Sequence, residues 1–288
     1  MKAVSMEPVG EPVSDFSHRG GLRSRIGFGV AVLILALIVV LSLLASIVAP
    51  FDPIAQNLGN AMAAPGSKHW LGTDSLGRDV LSRLIWGIRP ALGGMLISIA
   101  TAIVLGVPWG LVAGYASGMV DMVLMRVVDA LLVFPGLVLV LVLTAVLGAN
   151  LENSMLALGI IYAPVLARVV RSGVITVRNR EFVTVTRLYG LSPWYRMWRH
   201  VMPNALGPAV VQTTLLAGTS LLAQVGLGFL GIGVQPPLAS WGGSLAEAFQ
   251  YIVVRPSATF APGLLVAIVV VCIYRVGDEI RDRVMRDS

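Results

Sequence analysis

The residues that catalysis would need are few in this chain, and their spacing is wrong for it. The two lysines, Lys2 and Lys68, follow Met and Ser. A P-loop instead ends in Gly-Lys-Ser/Thr, so that backbone amides and one ammonium cradle the phosphates. The chain therefore holds no nucleotide through such a loop. His18, His69 and His200 are scattered, without zinc-ligand spacing. Cys272 lies alone in an apolar run, where it reads as a small buried hydrophobe and forms no intramolecular disulfide. No Ser/His/Asp or paired-carboxylate constellation appears. What the polar residues can do is bind. Gln212, Thr213, Thr214, Thr219, Ser220 and Gln224 set amides and hydroxyls along one apolar segment. Such groups bond between helices or line an aqueous cavity, which makes these six the candidate pathway residues.

The elements that must position them are read from composition. Of the 288 residues, 56% are hydrophobic and 12% charged, where a soluble domain has about 25% charged. Six apolar stretches, near 26–49, 91–116, 130–149, 154–170, 205–230 and 257–275, approach the roughly 20 residues of a spanning helix. None carries an ionisable residue in its central part. The first is too long for a cleaved signal core of roughly 7–15 residues. The fold class expected is therefore an all-α membrane protein with six transmembrane helices, embedded in lipid. The net charge is +6, but most residues belong to uncharged runs, so no nucleic-acid partner is expected. Of the 21 basic residues, all but Lys68, Arg78, Arg83, Arg89 and Arg255 fall on one side if the N-terminus is cytoplasmic. The positive-inside rule then predicts N-in, C-in. Gly106, Gly110 and Gly114 recur on one helix face and predict close helix packing. Pro108 predicts a kink there.

One segment, Glu181 to Ala205, is basic and aromatic and too polar to span: EFVTVTRLYGLSPWYRMWRHVMPNA. Its pattern predicts a helix over 181–189 with Glu181 at the positive dipole end. Gly190 ends it, Ser192 caps a second helix and Pro193 starts it. Trp194, Met197, Trp198 and Val201 then form one apolar face, with Arg196, Arg199 and His200 on the other side. Pro203 disturbs the backbone bonds before the fifth span. An interfacial hairpin on anionic lipid and a docking element for a cytoplasmic protein both fit this pattern.

Three further groups carry expectations. Asp74 or Ser75 caps a short helix bearing Asp79 and Arg83 at i, i+4. Ser240 caps a helix running through Glu247, and Trp241 anchors at the membrane interface. Arg126 pairs locally with Asp121 or Asp129.

The 181–205 segment resembles the EAA loop of bacterial ABC-importer permeases. Thr184, Val185 and Thr186 stand at the Glu-Ala-Ala positions, Gly190 is the matching glycine, and Val201 and Pro203 match the apolar–Pro end. The Glu-Ala-Ala triplet itself is absent. HWLGTDSLGRDVLSRLIWGIRPAL, GFLGIGVQPPLASWGGSL and VGDEIRD resemble further segments of one branch, the dipeptide/oligopeptide C-type permeases. The resemblance runs from the first span to the tail. It implies the type I ABC-importer permease fold in the cell inner membrane. It divides the chain into a cytoplasmic tail (1–25), the first span with an extracytoplasmic segment (26–90), a core permease domain (91–277) with a coupling loop at 171–204, and a C-tail (278–288). It implies a homologous B-type permease, ABC ATPase subunits and an extracytoplasmic solute-binding protein as partners. The chain itself is then non-catalytic and binds no cofactor, ATP and Mg being held by the ATPases. Glu181, Thr184, Val185, Thr186, Arg187, Gly190, Trp194, Trp198 and Pro203 are the expected coupling residues. The implied solute is a di- or oligopeptide, which amides and hydroxyls suit without fixing its side chains. Nickel chelates, glutathione and haem use the same frame. A non-ABC secondary transporter is the competing class, but it would keep ionisable relays within its spans.

Overall fold

A computed structural model describes residues 20–254 and 256–286. In chain order its α-helices are α1 (Gly20–Leu43), α2 (Ala45–Val48), α3 (Val80–Ala116), α4 (Gly118–Val133), α5 (Gly136–Leu147), α6 (Leu151–Arg178), α7 (Glu181–Leu188), α8 (Pro193–Arg196), α9 (Met202–Ala205), α10 (Gly207–Phe229), α11 (Trp241–Gln250) and α12 (Pro256–Arg286). Among the described residues the only β pairing is an isolated bridge between Thr73 and Asp79. Helices satisfy every backbone group within themselves, which hydrocarbon demands. α1, α3, α6, α10 and α12 are long and apolar enough to cross a bilayer, and the α4–α5 pair, bent by 91°, is the sixth candidate when taken as one broken span.

That bend replaces the straight third span expected over 130–149. Pro135 has no amide proton, and Phe134 before it is extended at φ −78° and ψ 140°. α4 therefore stops at Val133. α5 then has 12 residues, about 18 Å, against roughly 30 Å of hydrocarbon.

Close packing of α3 on α6 forms the centre of the bundle. A Cβ on Gly106 would lie 2.6 Å from the Ala163 carbonyl, and one on Gly114 would lie 2.8 Å from Val174 Cβ. Gly110 abuts the Ala167 carbonyl in the same way. The expected small-residue face is thus the seam where two backbones meet. Arg178 Nη1 donates to the Gly114 carbonyl at 2.7 Å, closing the seam at one end. The start of α10 and the last turns of α12 meet at that same end, where Gly207 lies against Val284. This is the basic end of the bundle.

At the opposite end, α3 begins at Val80 rather than near 91. Asp79 is its N-cap, its Oδ2 accepting from the Ser82 amide at 2.8 Å. The separate short helix expected after Asp74 or Ser75 is absent. Asp74 instead closes a turn, accepting from the Leu76 and Arg78 amides at 3.0 and 2.9 Å. Ser240 caps α11 as expected, accepting from the Gly243 amide at 3.1 Å. Trp241 is no interface anchor. It is 2% exposed, packs on Gly87, and donates its indole N–H to the Leu84 carbonyl at 3.0 Å. α11 folds back over the start of α3, so the ring is enclosed by protein.

Other boundaries also moved. α6 starts at Leu151, capped by Asn150, and runs to Arg178. α12 continues through Arg286, across most of the expected C-tail. Of the expected N-terminal tail, residues 20–25 open α1, and 1–19 lie outside the described residues.

Candidate coupling surface and pathway

The basic segment after α6 forms the turn its sequence predicts. Gly190 takes φ +72°. Its amide donates to the Arg187 carbonyl at 3.1 Å, and the Leu191 amide donates to Thr186 at 3.3 Å. Those two bonds are a Schellman stop, which needs a left-handed residue at the glycine position. Ser192 Oγ then accepts from the Tyr195 amide at 3.3 Å, with Pro193 at the first helical position.

The second helix is not regular. Met197–Val201 is a π-helical turn between α8 and α9. The Met202 amide donates to the Met197 carbonyl, five residues back. Pro203 supplies the reason, since it brings no amide proton to the carbonyl four residues before it. Asn204 Nδ2 donates to the next carbonyl along, His200 O, at 2.8 Å.

The apolar face expected of Trp194, Met197, Trp198 and Val201 divides in two. Met197 and Val201 are buried, and Val201 joins Val183, Val174, Val177 and Ala205 in one core cluster. Ala205 lies against Gly173 of α6. Trp194 is 67% exposed and Trp198 41%, their rings meeting edge-on at 5.4 Å. Leu188, Tyr189 and Tyr195 extend this exposed surface. Arg196, expected on the polar side, is buried, and its Nε and Nη1 have no hydrogen-bond partner among the described residues. The physical reason is packing. Small Gly173 and Ala205 let the hairpin lie close on α6, so its buried arc centres on Arg196, Met197 and Val201. Of the other coupling candidates, Thr184 and Thr186 bond back to the Arg180 and Val183 carbonyls. Glu181 opens α7, while Val185 and Arg187 lie on its exposed side.

The acids next to this surface bind across helices. Arg126 is the partner of neither. Arg171 holds Asp121 with Nε and Nη2 at 2.5 and 2.6 Å, and Arg168 Nη2 reaches Asp129 at 2.6 Å. Packing of α6 on α4 brings guanidiniums that can align with a carboxylate, whereas Arg126 lies five residues after Asp121 and three before Asp129 on the same helix.

The six candidate pathway residues do not form one stripe. Gln224 is buried beside Gly94 of α3 and donates Nε2 to the Pro90 carbonyl at 2.7 Å. Ser220 is buried one turn away on α10, and Ser98 of α3 is fully buried beside Gly159 of α6. Both serine hydroxyls and Gln224 Oε1 lack partners among the described residues. Thr213 and Thr214 bond to the carbonyls of Ala209 and Val211, each at 2.8 Å. Thr214 also lies against Gly277 of α12. Thr219 bonds to Leu216 O at 3.0 Å. Thr219 shares its exposed face with Leu215, Leu222 and Gly226, and Gln212 lies half-buried on the same face. This open face borders an apolar cavity of about 490 Å³ reached by Leu141 and Tyr162.

One cluster joins two of the segments singled out above by pairings that had no signal in the sequence. Arg78 binds Asp74 at 2.6 Å and Glu247 of α11 at 2.5 Å, and Ser75 also donates to Glu247. Arg83 reaches the Pro53 carbonyl at 3.0 Å and Asp74 at 3.5 Å. His69 Nδ1 and Asp79 Oδ1 are 2.9 Å apart. These groups clamp the segment before α3 onto α11 at the end opposite the basic one.

Comparison with known proteins now bears on this geometry. Residues 106–286 match the family described as "Binding-protein-dependent transport system inner membrane component". The chain is 34% identical to the dipeptide transport system permease protein DppC of Alkalihalophilus pseudofirmus over 88% of this chain and 83% of that one. It is 32% identical to the glutathione transport system permease protein GsiD of Pectobacterium atrosepticum, covering 98% and 93%. It is 38% identical to the nickel transport system permease protein NikC of Escherichia coli, covering 91% and 94%. A chain of the MetNI methionine ABC transporter, solved in inward facing conformations, shares the fold with a TM-score of 0.58 at 19% identity over 70% of this chain and 96% of that one. The protein belongs to the binding-protein-dependent transport system inner membrane components, and is a multi-pass inner-membrane permease subunit of an ABC importer with the type I fold.

Proposed function

We propose that this chain is the C-type permease of a peptide importer, with its basic end in the cytoplasm. The observation that carries the reading is the hairpin from α7 to α9. Its inner face is locked into the core by Val183, Met197 and Val201, while Trp194, Trp198 and Tyr189 stay uncovered. A surface of that kind, at the basic end and away from the apolar spans, suits a protein partner rather than lipid. ABC ATPase subunits dock there, bind ATP and Mg, and move the hairpin as a rigid lever. The permease itself is non-catalytic and holds no cofactor. A homologous B-type permease covers the open face of α10, so that Gln212 and Thr219 border the path. The solute-binding protein delivers at the opposite end, on the clamped segment before α3. The core unit that carries this cycle runs from α3 to α12.

Peptides are favoured as solute by the resemblance to dipeptide permeases, with Gln212 and Thr219 as the polar groups on the open face of α10. The relatives' names also include glutathione and nickel, and the assay must separate them. The complex is purified with its partners and placed in proteoliposomes with its cognate binding protein. ATP-driven uptake of a dipeptide, not competed by glutathione or a nickel chelate, is the expected result. Failure of any ATPase to co-purify, or uptake that follows a pH gradient and ignores ATP, overturns the reading.

A further inference from the structure

We propose that the chamber between the end of α1 and the segment 233–239 is an extracytoplasmic binding site for a zwitterion with an apolar body, a short peptide. This rests on the peptide-importer reading above. The chamber measures about 1040 Å³, at the upper end of small-molecule pockets. Phe51, Ile54 and Leu238 give it apolar walls. Its charges sit on two different helices. On the α3 wall Arg89 stacks 4.6 Å over Trp86. Its Nε and Nη2 donate to the Ser42 and Leu43 carbonyls at 2.8 and 3.3 Å. Those bonds fix the guanidinium plane and leave Nη1 without a partner among the described residues. On the α6 wall Glu152 is exposed in the first turn, with no ion pair or hydrogen bond among the described residues. Asp52 spends one oxygen on the Ile54 amide at 2.9 Å and keeps the other.

A free peptide carries the complementary poles. Its carboxylate fits the held guanidinium, its ammonium fits Glu152 and Asp52, and its side chains meet the apolar walls. Phosphatidylethanolamine has the same two poles. The peptide is favoured because the walls at 50–54 and 233–239 are loops outside the spans. In the complete transporter such a chamber would receive solute at the delivery end and select for free termini.

The test uses the whole transporter in phosphatidylcholine nanodiscs, without binding protein, titrated calorimetrically with Leu-Leu, its N-acetyl form and its amide. Blocking either terminus weakens binding about tenfold, the value of one charge-assisted hydrogen bond. Glu152→Gln, which breaks no ion pair or hydrogen bond among the described residues, reduces the discrimination against the N-acetyl form alone, and Glu152→Gln with Asp52→Asn abolishes it. Arg89→Gln abolishes that against the amide. Absent binding, equal affinity for free and blocked peptides, unchanged discrimination in Glu152→Gln, or displacement of the peptide by phosphatidylethanolamine in the nanodisc overturns the proposal. ATP-driven uptake of Leu-Leu without binding at the chamber defeats the site alone. Binding without ATP-driven uptake defeats the importer reading and leaves the site.

Discussion

Arg171 of α6 grips both carboxylate oxygens of Asp121 on α4, with Nε 2.5 Å from one and Nη2 2.6 Å from the other. This bond ties α4, the first arm of the bent α4–α5 pair, to the helix that leads into the α7–α9 hairpin. Asp121→Asn is expected to cost about 1–3 kcal/mol, because a half-buried guanidinium loses its anion. The thermal midpoint in nanodiscs reads this, and the swap Asp121→Arg with Arg171→Asp should recover part of it. Equal midpoints for the wild type and Asp121→Asn would show that the pair contributes nothing.

Gly190 can be changed without a clash. A Cβ there meets nothing within 4 Å, so only the φ of +72° resists substitution. Asn tolerates that region and β-branched residues do not. Gly190→Asn should keep the subunit and its ATPase partner together, whereas Gly190→Val, strained by about 1–2 kcal/mol, should lose coupled uptake. Equal uptake by both variants would argue that the turn does not matter.

Trp194 and Trp198 face outward, so their truncation tests docking apart from folding. Trp194→Ala with Trp198→Ala should leave the isolated subunit within about 0.5 kcal/mol of wild type, as exposed changes do. ATPase co-purification should fall. Met197→Ala, inside the core, should instead destabilise the subunit by about 2–5 kcal/mol. If the tryptophan variant retains its ATPase in full, the docking face lies elsewhere.

The seam of α3 and α6 allows a controlled comparison. Gly110→Val drives a side chain into the Ala167 carbonyl and Val170. Overpacking of this kind costs about 1–3 kcal/mol or more. Gly93 on the same helix has nothing within 4 Å of an added Cβ, so Gly93→Ala should be neutral or slightly stabilising. Thermal unfolding of the two variants side by side gives the answer, and equal midpoints would contradict the seam.

Local chemistry made much of this protein readable from its sequence. Spans follow from uninterrupted apolar runs, the Gly190 stop and the Ser192 cap from residues that satisfy their own neighbours, and the Gly106–Gly114 face from a four-residue period. Those signals act over one or two turns, so sequence order preserves them. The tertiary structure decided the rest. Pro135 looked like one residue in a long apolar run and became the corner of a right-angle bend. Trp194 and Met197 share a helical face by spacing, yet only Met197 is buried, because the surface of α6 chooses the arc. Arg126 was the nearest cation to two acids in sequence, and Arg168 and Arg171 took them from another helix. The Arg78–Glu247 clamp joins residues far apart in the chain, and the outer chamber exists only between segments that folding brings together. Partner choice over such distances depends on where backbones pack, and no periodicity in a single chain records that.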